Sequence, residues 1–331
     1  MKALINNPED VVVEVLEGFA RANSELVSLH KDPIWVGRAT PRGGVAIISG
    51  GGSGHEPLHA GFVGDGMLDA AVPGPMFTSP TPDAVLAAIE AADSGSGVVC
   101  IVKNYTGDVL NFEMAAELAA ASGHEVRSVL VADDVAVEDS TWTAGRRGVA
   151  GTLYVEKIAA AVSAAGGSLD EVEAAANAMA ASVRSMGLAL RGCTLPHVGE
   201  PGFELTDEEV ELGVGIHGEP GRSRISMASA DQLTDQLVDA ILADKPLASG
   251  DPVIVLVNGM GATPGYQLDI VFRRVAQRLD DAGIVIARNL VGNYVTSLDM
   301  EGVSVTIAKA DDETLALWDA PVHTPAWRKG C

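Results

Sequence analysis

Short apolar runs alternate along the first part of the chain with segments whose apolar side chains recur every three to four positions. Runs at residues 45–48, 68–72, 98–102 and 126–131 have the length and composition of buried strands, and Trp35-Val36 begins a shorter one. Helical spacing covers residues 11–22, and Thr81-Pro82-Asp83 supplies an N-cap Thr and a first-turn proline for a helix through 84–92. A further helix is predicted over about 109–121. Strands alternating with helices of this length predict an α/β domain with a largely parallel sheet.

Residues 133–151 are polar, glycine-bearing and without periodicity, and read as a long functional or interface loop. Two alanine-rich helices follow, the second opened by the capping box Ser168-Leu169-Asp170-Glu171. The pattern changes around 182–187, which places a boundary between residues 1–185 and 186–331. Beyond it, strands are predicted at 188–190, 210–216, 253–257, 285–287 and 303–307, and helices at 230–242 and 266–282. The expected architecture is two α/β domains, the first with a largely parallel or mixed sheet flanked by helices. No internal repeat relates the halves.

The stretch that organises the first domain is Ser49-Gly50-Gly51-Gly52-Ser53-Gly54-His55-Glu56-Pro57, with four glycines in the five positions 50–54. It follows a strand and precedes residues 58–63, which read as a helix start with Pro57 in its first turn. Such a loop would offer unpaired N–H donors and the His55 imidazole to a small polar ligand. No Lys follows the glycines, so it is not a Walker A loop. The dinucleotide fingerprint fails because His55 stands at its third glycine position. His55-Glu56-Pro57-Leu58-His59 has the letters of the zinc-protease helix, but Pro57 and the glycines keep His55 at or before the first turn, so two imidazoles on one helical face are not expected. His59 then reads as a helix-face residue that packs or meets solvent.

Composition narrows the function classes. The 331 residues are 47% apolar but only 4% aromatic, so the cores must be built from Ala, Val, Ile and Leu. A net charge of −23 argues against nucleic acid or an anionic membrane as a partner and fits a solvated acidic surface. Cys100, Cys193 and Cys331 form no C-x-x-C pair, which suggests a reducing compartment without a disulfide framework or structural metal. The first residues lack a secretory pattern and no run of 18 apolar residues occurs, so a cytoplasmic location is expected.

In open α/β sheets ligands bind beyond the carboxyl ends of strands. Four polar places follow apolar runs: residues 52–55, Thr78-Ser79, 103–108 and 216–220. Lys103 could anchor a substrate hydroxyl or carbonyl, or simply reach solvent. Asp108 falls at a helix N-cap, and position favours capping over a role as base. His217, between glycines with little expected crowding, is open to a structural or exposed role or to one as nucleophile or base.

Five motifs in order carry a resemblance: the glycine stretch through Pro57, Phe77-Thr78-Ser79-Pro80, Lys103-Asn104-Tyr105-Thr106-Gly107-Asp108, residues 145–152, and Gly213-Val214-Gly215-Ile216-His217-Gly218-Glu219-Pro220-Gly221. Together with residues 258–261 and 288–294 they closely resemble the dihydroxyacetone kinase K subunit family, from the N-terminus to about Thr306. The resemblance implies that His217, supplied by the second domain, adds to the ketone carbon of dihydroxyacetone to give a hemiaminal, a bond that glycerol cannot form. It implies that Gly52, Ser53, Gly54, His55, Lys103 and Asp108 bind the substrate, with His55 and Asp108 handling the proton of the hydroxyl that attacks phosphate. No cofactor and no metal are expected on this chain. ADP and Mg are expected on a separate L-type subunit, rephosphorylated by a phosphotransferase-system M-type phosphocarrier. A chain ending at Cys331 fits that stand-alone arrangement, and the family implies a homodimer. Two other readings stand beside this one: a dihydroxyacetone-binding co-regulator without enzymatic activity, and a kinase for another short ketose such as erythrulose. A zinc hydrolase through His55 and His59 is a distant third.

Overall fold

The computed structural model describes residues 2–136 and 145–330, so the central part of the polar stretch at 133–151 lies outside the described residues. Among the described residues the strands form two six-stranded sheets and one small antiparallel pair, Val322–His323 with Arg328–Lys329. The first holds β1 (Val27–Lys31), β2 (Ile34–Arg38), β3 (Ala46–Ser53), β4 (Ala70–Met76), β5 (Val98–Lys103) and β6 (Val126–Val131), in the order β1-β2-β4-β3-β5-β6. From β4 to β6 neighbouring strands are parallel, and β2 and β1 add antiparallel. Every residue of β3 and β5 is buried because helices cover both faces. Ala46, Ile48, Val98 and Cys100 pack under α2 (Pro82–Ala92) and α3 (Thr106–Ala121), following α1 (Val11–Ala22) in the chain. Ile47, Val99 and Ile101 point the other way, into the cluster that contains α4 (Gly151–Ala164).

The second sheet holds β7 (Arg184–Arg191), β8 (Glu209–Leu212), β9 (Ser223–Ser226), β10 (Pro252–Gly259), β11 (Val285–Gly292) and β12 (Glu301–Lys309), ordered β11-β10-β12-β7-β8-β9. Only β10 and β11 are parallel, so this half is mixed rather than a second copy of the first. The helices α6 (Ala230–Asp244) and α7 (Gly265–Asp281) cover one face through Leu237, Val238, Val271 and Val275.

Between the sheets lies α4, nearly all of it buried. It touches β3 and β5 on one side, while the Tyr154 hydroxyl reaches the Ile254 and Thr306 carbonyls of β10 and β12 at 3.4 and 3.3 Å on the other. Its alanines let α5 (Leu169–Ser182) come close, and α5 starts at the Ser168–Glu171 capping box read from the sequence. Tyr154 also leans on Trp318 of α8 (Asp312–Asp319), with ring centroids 4.9 Å apart.

Several expectations are corrected. The glycines at 50–52 are not a loop but the last part of β3, paired with β4. Strand β4 runs on through Pro73-Gly74-Pro75, tolerated because β2 pairs with it only at Ala70 and Ala71, so no second ladder needs those missing N–H groups. Residues 58–63 make successive turns, Leu58 N donating to His55 O and Gly61 N to Pro57 O, with a 3-10 turn at Ala60–Phe62 in place of a helix. The strand predicted over 210–216 stops at Leu212, freeing the chain before His217. Strands β1 and β9 and helix α8 were not anticipated, being short and weakly patterned.

Tyr154→Ala should cost about 3–5 kcal/mol of stability, as expected for a large buried aromatic with a partner on each side. Urea unfolding checks this, and a loss below about 1 kcal/mol would mean that α4 does not carry the packing between the sheets.

Candidate active site

The carboxyl end of β3 meets the turn after β4 closely enough to demand glycine. A Cβ on Gly52 would lie 2.6 Å from Thr78 N and 2.7 Å from the Phe77 backbone. That contact seats Phe77, whose ring stacks on His55 at 5.1 Å with an interplanar angle of 10°. The Ser53 hydroxyl donates to Gly74 O at 2.7 Å, and the Gly54 N–H is taken by the Glu56 carboxylate at 3.0 Å. The glycine stretch therefore does not present a row of free N–H donors. Its contribution is space.

His55 is fully buried. Its Nδ1 donates to Thr296 O at 2.9 Å, and Thr296 N returns a bond to His55 O, so a segment beyond β11 sets the ring. With Nδ1 as donor, Nε2 is an acceptor, and it has no hydrogen-bond partner among the described residues. Burial, then the nearby His217 and Lys103, hold its pKa well below the ordinary imidazole range.

Lys103 ends β5 and is fully buried rather than reaching solvent. Its Nζ donates to Gly50 O at 3.0 Å and lies 2.6 Å from His59 Nε2 and 4.0 Å from Asp108 Oδ2. A Cβ on Gly51 would overlap the Lys103 Nζ, so this second glycine requirement is again for room. Asp108 is not the N-cap of α3: Tyr105 holds that position and Asp108 sits inside the first turn, buried, with Oδ1 unpartnered among the described residues. Burial raises its pKa, while Lys103 and the Ser79 hydroxyl pull it back.

His217 comes from the loop after β8. Its surroundings are crowded, contrary to the open setting suggested by flanking glycines, with Tyr105, His55 and Phe77 ring centroids at 4.3, 4.8 and 5.4 Å. The Glu219 carboxylate accepts from His217 N at 3.1 Å, and buried Arg147 holds that carboxylate at 3.0 Å while also bonding Asp134 and Gly213 O. Burial, then the Lys103 and Arg147 charges, push the His217 imidazole down to about 3.

The structure thus gathers His55, Lys103, Asp108 and His217 with the Gly52–Gly54 backbone beside them. Sequence reasoning missed the residues that orient them. His59 is not a helix-face residue: it is buried, with Nδ1 2.7 Å from Glu156 Oε1 of α4. Arg147, Glu219, Phe77 and Thr296 act across long sequence separations, which no local pattern reveals. Glu156 left a trace, as the one acid, beside Lys157, in an alanine-rich helix.

Chemically, the cluster combines an imidazole whose pKa is pushed down, two buried acceptors and one buried lysine amine. It suits a small ligand with hydroxyl and carbonyl oxygens. A cavity of about 380 Å3, lined by Leu16, Phe19, Pro57 and Ala326 among others, includes Gly51–Ser53 but none of His55, Asp108 and His217. Followed by NMR from pH 8 to pH 5, the His217 ring should remain neutral, because it protonates only well below the ordinary imidazole value of 6.5. A midpoint near 6.5 would show a solvated ring.

Residues 17–326 match the Dak1 domain. The chain is 49% identical over 356 aligned positions, with all of both chains covered, to the PEP-dependent dihydroxyacetone kinase, dihydroxyacetone-binding subunit DhaK, of Escherichia coli strain K12. Among solved structures it is similar to the dihydroxyacetone kinase of C. freundii, at 37% identity and a TM-score of 0.92, covering 99% of this chain and 60% of that one. It is also similar to the dihydroxyacetone kinase operon co-activator Dha-DhaQ, at 36% identity and a TM-score of 0.90, covering 96% and 98%.

Proposed function

The chain belongs to the Dak1 domain family, and on that premise we propose that it is the dihydroxyacetone-binding subunit of a dihydroxyacetone kinase, a phosphotransferase whose phosphoryl donor sits on a partner subunit. The observation that carries this reading is the meeting of a neutral His217 ring with two buried, unpartnered acceptors, His55 Nε2 and Asp108 Oδ1.

A neutral imidazole is the form that can attack a ketone. A ring nitrogen of His217 donates its pair to the carbonyl carbon, the C=O π pair moves to oxygen, and the proton of the other ring nitrogen ends on that oxygen, giving a hemiaminal. Glycerol has no carbonyl and is refused by chemistry rather than by shape. Lys103 donates to a substrate oxygen, while Asp108 and His55 accept from its hydroxyls. When a terminal hydroxyl attacks phosphorus and the donor's P–O bond breaks, Asp108 takes the hydroxyl proton, with His55 beside it. Burial strengthens Asp108 as a base for this step.

The phosphoryl group would come from ADP-bearing L-type subunit chemistry with Mg, replenished by an M-type phosphocarrier of the phosphotransferase system, and the chain would work as a cytoplasmic homodimer. Among the described residues no helix is long and apolar enough to cross a membrane. Likeness to a structure named as an operon co-activator supports a second reading, a ketose-binding regulator. A pure binder has no need of a base, so Asp108 separates the two. Erythrulose remains the nearest alternative ketose.

With dihydroxyacetone labelled at its ketone carbon, wild-type protein should convert the carbonyl resonance to a protein-bound sp³ carbon, and His217→Ala should not. The same signal from both proteins would remove His217 from the chemistry. Asp108→Asn should keep that bound carbon but lose phosphoryl transfer by at least about 10²-fold; near-normal turnover would make Asp108 a substrate contact only.

A further inference from the structure

We propose that Glu156 and His59 form a positioning pair that holds Lys103 as an oriented ammonium at the floor of the ketose site. This role rests on the reading of that site given above, and neither residue touches the reacting atoms. The argument starts from counting protons. A lysine ammonium has three donors and no acceptor. One donor goes to Gly50 O at 3.0 Å, and His59 Nε2, 2.6 Å away, can meet Nζ only by accepting. An imidazole that accepts at Nε2 carries its proton at Nδ1, and there Glu156 Oε1 lies 2.7 Å away. The direction of each bond from α4 to β5 then follows from the one before. The remaining lysine donor is left for the side where Asp108 stands at 4.0 Å, a separation that one substrate oxygen can bridge.

Three features make the pair more than incidental packing. Lys103, His59 and Glu156 are all buried, and each is supplied by a different element: β5, the turns after β3, and α4. The groups that face Lys103 are Asp108 from α3, Glu156 from α4, His59 and His55 from the turns after β3, and His217 from the second domain. Only Asp108 and Glu156 among these favour a charged lysine, while burial opposes it. In the reaction proposed above, Asp108 loses its charge on taking the hydroxyl proton. Burial pushes the Glu156 carboxyl up to about 8 while Lys103 pulls it back, so its charge is tied to the ammonium beside it; it is the acid that stays when Asp108 is neutralised, keeping Lys103 pointed as negative charge develops on the substrate. The same chain offers an alternative arrangement with equal proton count, in which Lys103 is neutral, His59 carries its proton at Nε2 and Glu156 is protonated. The proposal therefore has a spectroscopic signature.

The test uses the full-length, ligand-free protein with nitrogen-labelled histidine and lysine. At pH 7 the His59 ring should show the Nδ1–H form with Nε2 accepting, and Lys103, assigned through Lys103→Met, should be an ammonium. A neutral Lys103 beside Nε2–H His59 would overturn the proposal without any further variant. Glu156→Gln keeps the length and an acceptor but removes the charge. It should move the Lys103 titration to lower pH by about one unit or more and raise the KM for dihydroxyacetone about tenfold, with a smaller change in kcat. Glu156→Asp should restore much of the titration. An unchanged Lys103 midpoint and KM in folded Glu156→Gln would reduce the pair to structural filling. The titration needs no ketone, so it judges the pair even if wild-type protein fails to capture dihydroxyacetone on His217, a result that would count against the ketose reading instead.

Discussion

A lysine side chain buried at the end of β5 is the constraint on which this site depends. A charge so placed must be met by hydrogen bonds and opposite charge or it would lose its proton. Meeting it recruits the Gly50 carbonyl, the His59 imidazole and two carboxylates, Asp108 at the start of α3 and Glu156 on α4. It also explains Gly51, whose absent Cβ leaves the room that Nζ occupies. The glycine stretch is therefore a consequence of the buried charge and the close turn at Phe77, more than a cradle of backbone donors.

The second constraint is that the two site histidines belong to different parts of the chain. His55 follows β3 but is oriented by Thr296, while His217 follows β8 but lies against Tyr105 and Phe77 of the first domain. Arg147 and Glu219 hold the His217 loop, and α4 fixes the sheets behind both. Because each ring is set by residues that follow strands of the other sheet, the relative placement of the sheets decides the geometry of the site. The low pKa of His217 has the same origin, since burial between the domains and the nearby Lys103 and Arg147 charges all disfavour the imidazolium.

Much of the fold was legible in local pattern. The strand at 126–131 and the helix at 11–22 fall where their apolar runs predict, and the Ser168–Glu171 box opens α5 because its two bonds are local. Errors arose where tertiary contact overrode local preference. Glycine and proline at 50–53 and 73–75 signal loops, yet these residues extend β3 and β4: close neighbours leave no room for a Cβ at Gly50, Gly52 and Gly74, and the prolines lie where β2 makes no ladder. Asp108 was placed one turn early in its role, as a cap, because the helix begins at Thr106.

The order of motifs from the glycine stretch to His217 was enough to identify the family, and the resemblance named from the sequence the residues assigned to the ketose. What the sequence determined by itself was the set of chemical groups and the elements that carry them, both of which depend on neighbours a few positions apart. Tertiary structure alone decided their state: which nitrogen of His55 is free, that His59 and Glu156 stand behind Lys103, and that His217 is neutral. Those properties depend on burial and on charges brought together from distant positions, and neither exists until the two sheets close on α4.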